Sequence, residues 1–195
     1  MTELLRNLQD IDRQLTLSVN SLSTPWTDGV WQFFSDKEVW YPLYIAVAVM
    51  LFYRLGWKKA LIVIASVAAA FALSDFVSNL VKYSVSRLRP AYDTEMLRGG
   101  IHLLEKRGSL LGFFSSHAAN TFSFAICTFM GFRNDETRRY SAYGSFIFSW
   151  AVLVSISRVF VGKHFLGDIT AGAIFGLLTG YLLASLARLA ITKLR

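Results

Sequence analysis

The chain is poor in the residues that staple or chelate. Its single cysteine, Cys127, lies inside an apolar run, which excludes an intrachain disulfide and a cysteine-based metal site. It reads as a small buried hydrophobe. Three histidines are scattered along the chain and form no ligand cluster, so neither a metal nor a cofactor is expected. The first 25 residues lack the basic-then-apolar pattern of a cleavable signal peptide. Acidic residues are outnumbered, 13 against 20 Lys and Arg, for a formal charge of +7. That balance would suit nucleic acid, but the basic residues sit in short clusters between apolar runs. With 54% hydrophobic residues and a mean hydropathy of +0.43, the pattern is that of a multi-pass membrane protein, with the bilayer rather than nucleic acid as partner.

What is present follows in order. Leu4, Leu8, Ile11, Leu15, Val19 and Leu22 recur every three or four residues, with Arg6, Asn7, Asp10, Asp12 and Arg13 between them. This predicts an amphipathic helix lying in the interface and ending before Pro25. Trp26, Trp31, Phe33, Phe34, Trp40 and Tyr41 form an aromatic cluster expected at headgroup depth. Five spanning segments are then predicted, at about 39–53, 60–81, 117–132, 140–157 and 169–187. Some uncharged cores are shorter than the usual ~17–25 residues, so aromatic and basic flanks complete those spans. Gly172, Gly176, Gly180 and Ala184 fall every four residues, a spacing for close helix approach within the bundle or across a homodimer. The expected architecture is an all-α, polytopic membrane helix bundle in one domain, 1–195, with an interfacial segment at 1–38 and the bundle at 39–195.

Five spans put the termini on opposite sides. The short loops at 54–59 and 133–139 and the C-terminal tail carry nine of the 20 Lys and Arg residues. That density marks their side as cytoplasmic and puts the 158–168 junction on the outer face, in a bacterial inner membrane.

Polar groups inside the spans are concentrated near that face. Ser157-Arg158-Val-Phe-Val-Gly-Lys163-His164-Phe-Leu-Gly167-Asp168 sits between two long apolar runs. His164 and Asp168 are four apart, so one helical turn brings the carboxylate to the imidazole. A carboxylate fixes the tautomer and raises the basicity of the ring, which suits a nucleophile or base. Asp75, Asn79 and Lys82 share one helical stripe, predicted to face the protein or a wet cavity. Arg89-Pro90 follows seven residues after Lys82, and the third span opens with Phe114-Ser115-Ser116-His117. Lys82, Arg89 and Arg158 supply cations, Ser115 and the N–H groups of a helix start supply donors, and two histidines supply a nucleophile and an acid. Together these fit phosphoryl transfer.

Lys82-x6-Arg89-Pro90, Phe114-Ser115-Ser116-His117 and Ser157-Arg158-x5-His164-x3-Asp168 resemble, in order, the three signature motifs of the type 2 phosphatidic acid phosphatase superfamily. That superfamily includes bacterial lipid phosphate phosphatases and, more distantly, soluble vanadium haloperoxidases. The resemblance covers 82–168. It implies His164 as nucleophile, Asp168 as its orienting partner and His117 as general acid. It also implies Lys82, Arg89, Ser115 and Arg158 as phosphate ligands, and turnover without metal. Phe114 and Ser116 stand where the family's Pro-Ser-Gly-His has proline and glycine, and the Ser116 N–H is still expected to face the phosphate.

Residues 84–113, with Arg87, Asp93, Glu95, Arg98, His102, Glu105, Lys106 and Arg107, are expected to form a cap or lid near the headgroup, with His102 on the surface. Leu103, Leu104, Leu110 and Leu111 would rest at the membrane surface. The resulting expectation is a lipid phosphatase acting through phosphohistidine. The substrates the resemblance implies are undecaprenyl pyrophosphate, phosphatidylglycerol phosphate, phosphatidate and lipid A phosphates. The alternatives are a lipid phosphotransferase and a non-catalytic lipid-phosphate-binding membrane protein. Haloperoxidase activity is disfavoured for a pocket that opens between membrane spans.

Overall fold

Apolar runs of this length, shielded from water, satisfy their backbone by coiling into helices, and helices form where the runs lie. The computed structural model describes residues 3–194. Its α-helices are α1 Glu3–Asn20, α2 Pro25–Ser35, α3 Tyr41–Leu55, α4 Trp57–Val85, α5 Thr94–Arg98, α6 Ser116–Phe132, α7 Ser141–Phe160 and α8 Leu166–Thr192. Pro25 occupies the first turn of α2, where its missing N–H costs nothing. Between α3 and α4 the whole turn is Gly56, at a φ of +73° that a side chain would strain.

Four stretches, Glu38–Leu55, Trp57–Val85, Ser141–Phe160 and Leu166–Thr192, are long and apolar enough to cross a membrane. The remaining predicted span is α6, only 17 residues and about 26 Å long. It lies at the centre, packed on α3, α4, α7 and α8. Its buried face is dominated by small and hydroxyl residues, among them Ala118, Ala119, Ser123, Ala125 and Thr128, and larger neighbours close round it. Away from the α7–α8 turn the core is aromatic and aliphatic, with Phe124, Phe132, Tyr140, Ile147 and Trp150 buried together. There Arg54 pins the loop after α6 by donating to Asp135 at 2.5 Å and to Tyr140 at 3.0 Å.

Three expectations change. The face of Gly172, Gly176 and Gly180 is taken up inside the chain by α6, so it offers no surface for a homodimer. A Cβ on Gly180 would stand 2.9 Å from Ser123 Cα, and one on Gly176 would strike the Ala119 backbone. The aromatic cluster is only partly interfacial. Trp26 is exposed, but Trp31 stacks on Phe160 at 3.9 Å and Trp40 meets Trp150 edge-on at 5.5 Å. The stripe of Asp75 and Asn79 is exposed, and Ser74 and Ser78 turn inward instead. Asn120 of α6 donates to Asp75 at 3.2 Å.

The amphipathic helix has its apolar side outward. Leu4 and Leu8 are 68% and 53% exposed, whereas Thr16 and Asn20 are buried against the bundle. Only an apolar surrounding makes that orientation favourable.

Glycine packing yields a paired test. Gly176→Leu should cost on the order of 3 kcal/mol or prevent folding, because backbone blocks the new side chain. Gly29→Ala, in open space within α2, should raise stability by roughly 0.5–1 kcal/mol. Thermal unfolding in detergent measures both. Equal tolerance at the two sites would contradict this packing of α6 on α8.

Candidate active site

Helix ends build the site. The C-terminal ends of α4 and α7 meet the N-terminal ends of α6 and α8. Lys82 Nζ donates to Ser116 Oγ at 3.1 Å, Ser115 N donates to the Asp168 carbonyl at 3.0 Å, and His164 N donates to the Arg158 carbonyl at 3.1 Å. Two helix N-termini thus meet at one place, and the start of α6 presents N–H groups that favour an anion.

His164 lies on the turn between α7 and α8. Gly162, at φ +75°, allows the chain to double back there; a Cβ would press on Leu103 and on the His102 carbonyl. The His164 ring is 3% exposed and Asp168 is 0% exposed, and Nδ1 lies 3.2 Å from Asp168 Oδ2. The same oxygen accepts from Phe165 N at 3.1 Å. With the Nδ1 proton held by the carboxylate, Nε2 carries the lone pair. Burial lowers the His164 pKa to about 4 against the pull of Asp168, and Arg89 and Arg158 lower it further. The imidazole is therefore neutral at pH 7.

The cations surround this pair. Arg89 Nε donates to the Leu111 carbonyl at 3.2 Å. A Cβ on Gly112 would meet Arg89 Cγ at 3.0 Å and Asp168 Oδ2 at 3.1 Å, so both groups crowd one glycine. Buried Arg158 donates through Nη1 to the Ser35 carbonyl at 2.9 Å and also bonds Ser35 Oγ, while its Nε is buried with no partner among the described residues. Half of the guanidinium fork is thus anchored, and the other half has a donor left to satisfy. His117 and Arg158 share a cavity of about 420 Å³ with Gln32, Asp36, Lys37 and Glu105.

The second motif is used in two ways. Ser115 is fully buried as the N-cap of α6, its Oγ accepting from Ala118 N at 3.4 Å. The Ser116 hydroxyl accepts from Lys82 Nζ and, at 3.2 Å, from Ser78 Oγ. Phe114 is buried against Phe175 with ring centroids 4.9 Å apart. Phenylalanine in place of the family's proline therefore adds core, and serine in place of glycine adds a tether for Lys82.

Several neighbours escaped the sequence reading. Lys163, the residue before His164, donates to the Lys106 carbonyl and lies 3.5 Å from Glu105. Glu105 also bonds Ser35 Oγ and sits 3.8 Å from Arg158. Burial lowers the Lys163 pKa, with Glu105 opposing. The connection at 86–115 thus folds over the site, held by Arg89 N donating to the Leu110 carbonyl and Gly112 N to the Arg87 carbonyl, both at 2.9 Å. The adjacency of Lys163 to His164 was a readable hint, whereas only the fold reveals Glu105 and Ser35. Leu110 is exposed as expected, but Leu103 packs under Gly162. His102 is half exposed, with its ring 3.1 Å from Asp28.

A family model described as PAP2 superfamily matches residues 63–191. A lipid A 4'-phosphatase of Bacteroides thetaiotaomicron is 33% identical over 190 residues, 96% of this chain and 82% of the relative. A protein of the same name from Porphyromonas gingivalis is 31% identical, over 88% of this chain and 71% of its own length. Among solved structures, a transmembrane PAP2-type phosphatidylglycerolphosphate phosphatase from Bacillus subtilis is similar with a TM-score of 0.72 at 20% identity, covering 93% of this chain and 87% of that one. Aquifex aeolicus LpxE is similar with a TM-score of 0.65, also at 20% identity, covering 88% and 93%.

Arg89→Lys should weaken binding of inorganic phosphate roughly tenfold or more, since a lysine keeps the charge but loses the planar fork and the Leu111 anchor. Calorimetric titration of phosphate into the purified protein measures this, and unchanged affinity would reduce Arg89 to a steering charge.

Proposed function

The chain belongs to the PAP2 superfamily of membrane lipid phosphatases, and we propose that it hydrolyses a phosphate monoester on the headgroup of a lipid A-type lipid through a phosphohistidine. One observation carries the mechanism: a buried His164 whose Nδ1 is 3.2 Å from a fully buried carboxylate, where the starts of α6 and α8 meet.

In the first step His164 Nε2 attacks phosphorus and the bond to the lipid oxygen breaks. His117 gives its proton to that oxygen, which leaves as an alcohol. Lys82, Arg89 and Arg158 neutralise the equatorial oxygens, with Ser115 and the Ser116 N–H as donors. The Asp168 carboxylate, held on Nδ1, stabilises the positive ring of phosphohistidine. In the second step water attacks phosphorus, His117 takes its proton, and the P–N bond breaks to release inorganic phosphate and neutral His164. No step calls on a metal.

The lipid A-type substrate is supported by the names of the two relatives, each at least 31% identical. The reading treats 1–195 as one membrane domain, with 1–38 at the surface and 39–195 as the bundle. It assigns the site to the outer face, supported by the basic density of the 54–59 and 133–139 loops at the opposite end.

Phosphate release in EDTA should be fastest from a lipid A phosphate in a panel with undecaprenyl pyrophosphate, phosphatidylglycerol phosphate and phosphatidate, and His164→Ala should abolish it. Faster release from undecaprenyl pyrophosphate would replace the substrate and keep the mechanism. Full activity in His164→Ala would remove the mechanism.

The acid limb of kcat/KM should reflect loss of neutral His164 near pH 4, not near its ordinary ~6.5. Asp168→Asn should lower kcat and move that limb to still lower pH, since the carboxylate is the group that favours the imidazolium. A limb that moves upward would contradict the pairing.

A further inference from the structure

Sequence reading put Asp12 on the polar side of a surface helix and Arg87 in a surface cap. In the folded chain they meet behind the nucleophile. Arg87 Nη1 donates to Asp168 Oδ1 at 2.9 Å, and Arg87 Nη2 donates to Asp12 Oδ2 at 2.6 Å. Asp168 Oδ2 holds His164 Nδ1. The four side chains thus form one continuous line, Asp12–Arg87–Asp168–His164, from the membrane-surface helix to the imidazole. The Arg87 guanidinium also lies over the Phe165 ring, 4.0 Å from its centroid, so its plane is held as well as its ends.

The same helix caps the element that carries Asp168. Gly167 N donates to Asp12 Oδ1 at 2.9 Å and Leu166 N to Thr16 Oγ1 at 3.0 Å. With Phe165 N on Asp168, the N–H groups at the start of α8 are satisfied by one carboxylate of its own and two groups of α1. Gly167 permits this approach, because a Cβ there would stand 2.6 Å from Asp12 Oδ2. Both Asp12 and Arg87 keep only about a sixth of their side-chain surface exposed.

We propose that Arg87 and Asp12 are positioning residues of the reaction, acting on His164 through Asp168. This rests on the phosphatase reading above. An aspartate that accepts from both His164 Nδ1 and Phe165 N through one oxygen has its other oxygen available for a second donor. Arg87 fills that place, so the carboxylate cannot rotate away from the ring, and the charge-assisted bond holds it in line with Nδ1 while the ring becomes cationic. Asp12 fixes Arg87 and balances its charge at a helix N-terminus, where an anion is favoured. Neither residue touches the phosphate.

The test is a double-mutant cycle between Arg87 and Asp168, read in steady-state kinetics and in thermal unfolding of full-length protein in detergent. Arg87→Gln should lower kcat roughly 10- to 30-fold with KM changed less than threefold. Arg87→Lys should recover part of that loss, and Asp12→Asn should lower kcat about three- to tenfold. In an Asp168→Asn background, Arg87→Gln should cost less than threefold more, because the path it acts through is already cut. The unfolding cycle should show the same non-additivity, which reads the contact without turnover.

Equal fold-losses in both backgrounds, a raised KM at unchanged kcat, or wild-type rates in Arg87→Gln and Asp12→Asn would overturn the proposal. Unfolding coupling with no kinetic coupling would also overturn it, leaving a purely structural ion pair. If Arg87→Gln does not fold, Asp12→Asn and Arg87→Lys carry the same readouts. Failure of the phosphatase reading shows separately, as no phosphate release from wild type while the unfolding cycle still reports the contact.

Discussion

Asp168 is the point on which the rest of the site depends. Its side chain has no exposed surface, yet it accepts from His164, Phe165 and Arg87, and its backbone carbonyl accepts from Ser115. A buried carboxylate without partners would be strongly disfavoured, and this one is tolerated because every direction is answered. The carboxylate is answered from the α7–α8 turn and from the connection after α4, and the backbone of the same residue holds the start of α6. One residue therefore brings three separated segments of the chain to one place.

The surroundings show how the bundle tolerates so many cations together. Arg158, Lys163 and Arg89 would repel each other in a dry setting. Glu105 near two of them and Asp168 near the third offset that repulsion, while backbone carbonyls of Ser35, Lys106 and Leu111 each take one further donor. A phosphate brings about two negative charges to the same place. The proposed substrate would thus meet the charge that the chain's own carboxylates leave over, with Arg158 Nε, unpartnered among the described residues, as one donor.

Polarity is inverted where the chain meets the bilayer. In α1 the leucines face outward and Asp12, Arg13, Thr16 and Asn20 face the protein, with Arg13 bonded to Asp93 at 2.9 Å and Asn20 to the carbonyls of Val159 and Phe160 at 3.0 Å. A helix that is peripheral along the chain is in three dimensions a brace for the α7–α8 turn. The apolar stripe and the polar stripe are both visible in the sequence. Which stripe meets the protein depends on the solvent, and the bilayer reverses the usual answer.

Hydrophobic runs by themselves determined the helices, because unpaired backbone is intolerable in lipid, and the four-residue spacing put Asp168 within reach of His164, although the ring sits on the turn that leads into α8 and not on the helix itself. The three motifs likewise carried the family and the principal polar residues. Tertiary structure alone decided what those residues lean on. Asp12 and Arg87 are 75 positions apart, and Ser35 and Arg158 are 123 apart, so no local period links them. Helix packing decided that the Gly172, Gly176 and Gly180 face is internal, that Trp31 and Trp40 belong partly to the core, and that Asp75 lies at the surface. Local chemistry is written in neighbours along the chain, whereas compensation of buried charge is a sum over everything nearby in space, and only folding brings those terms together.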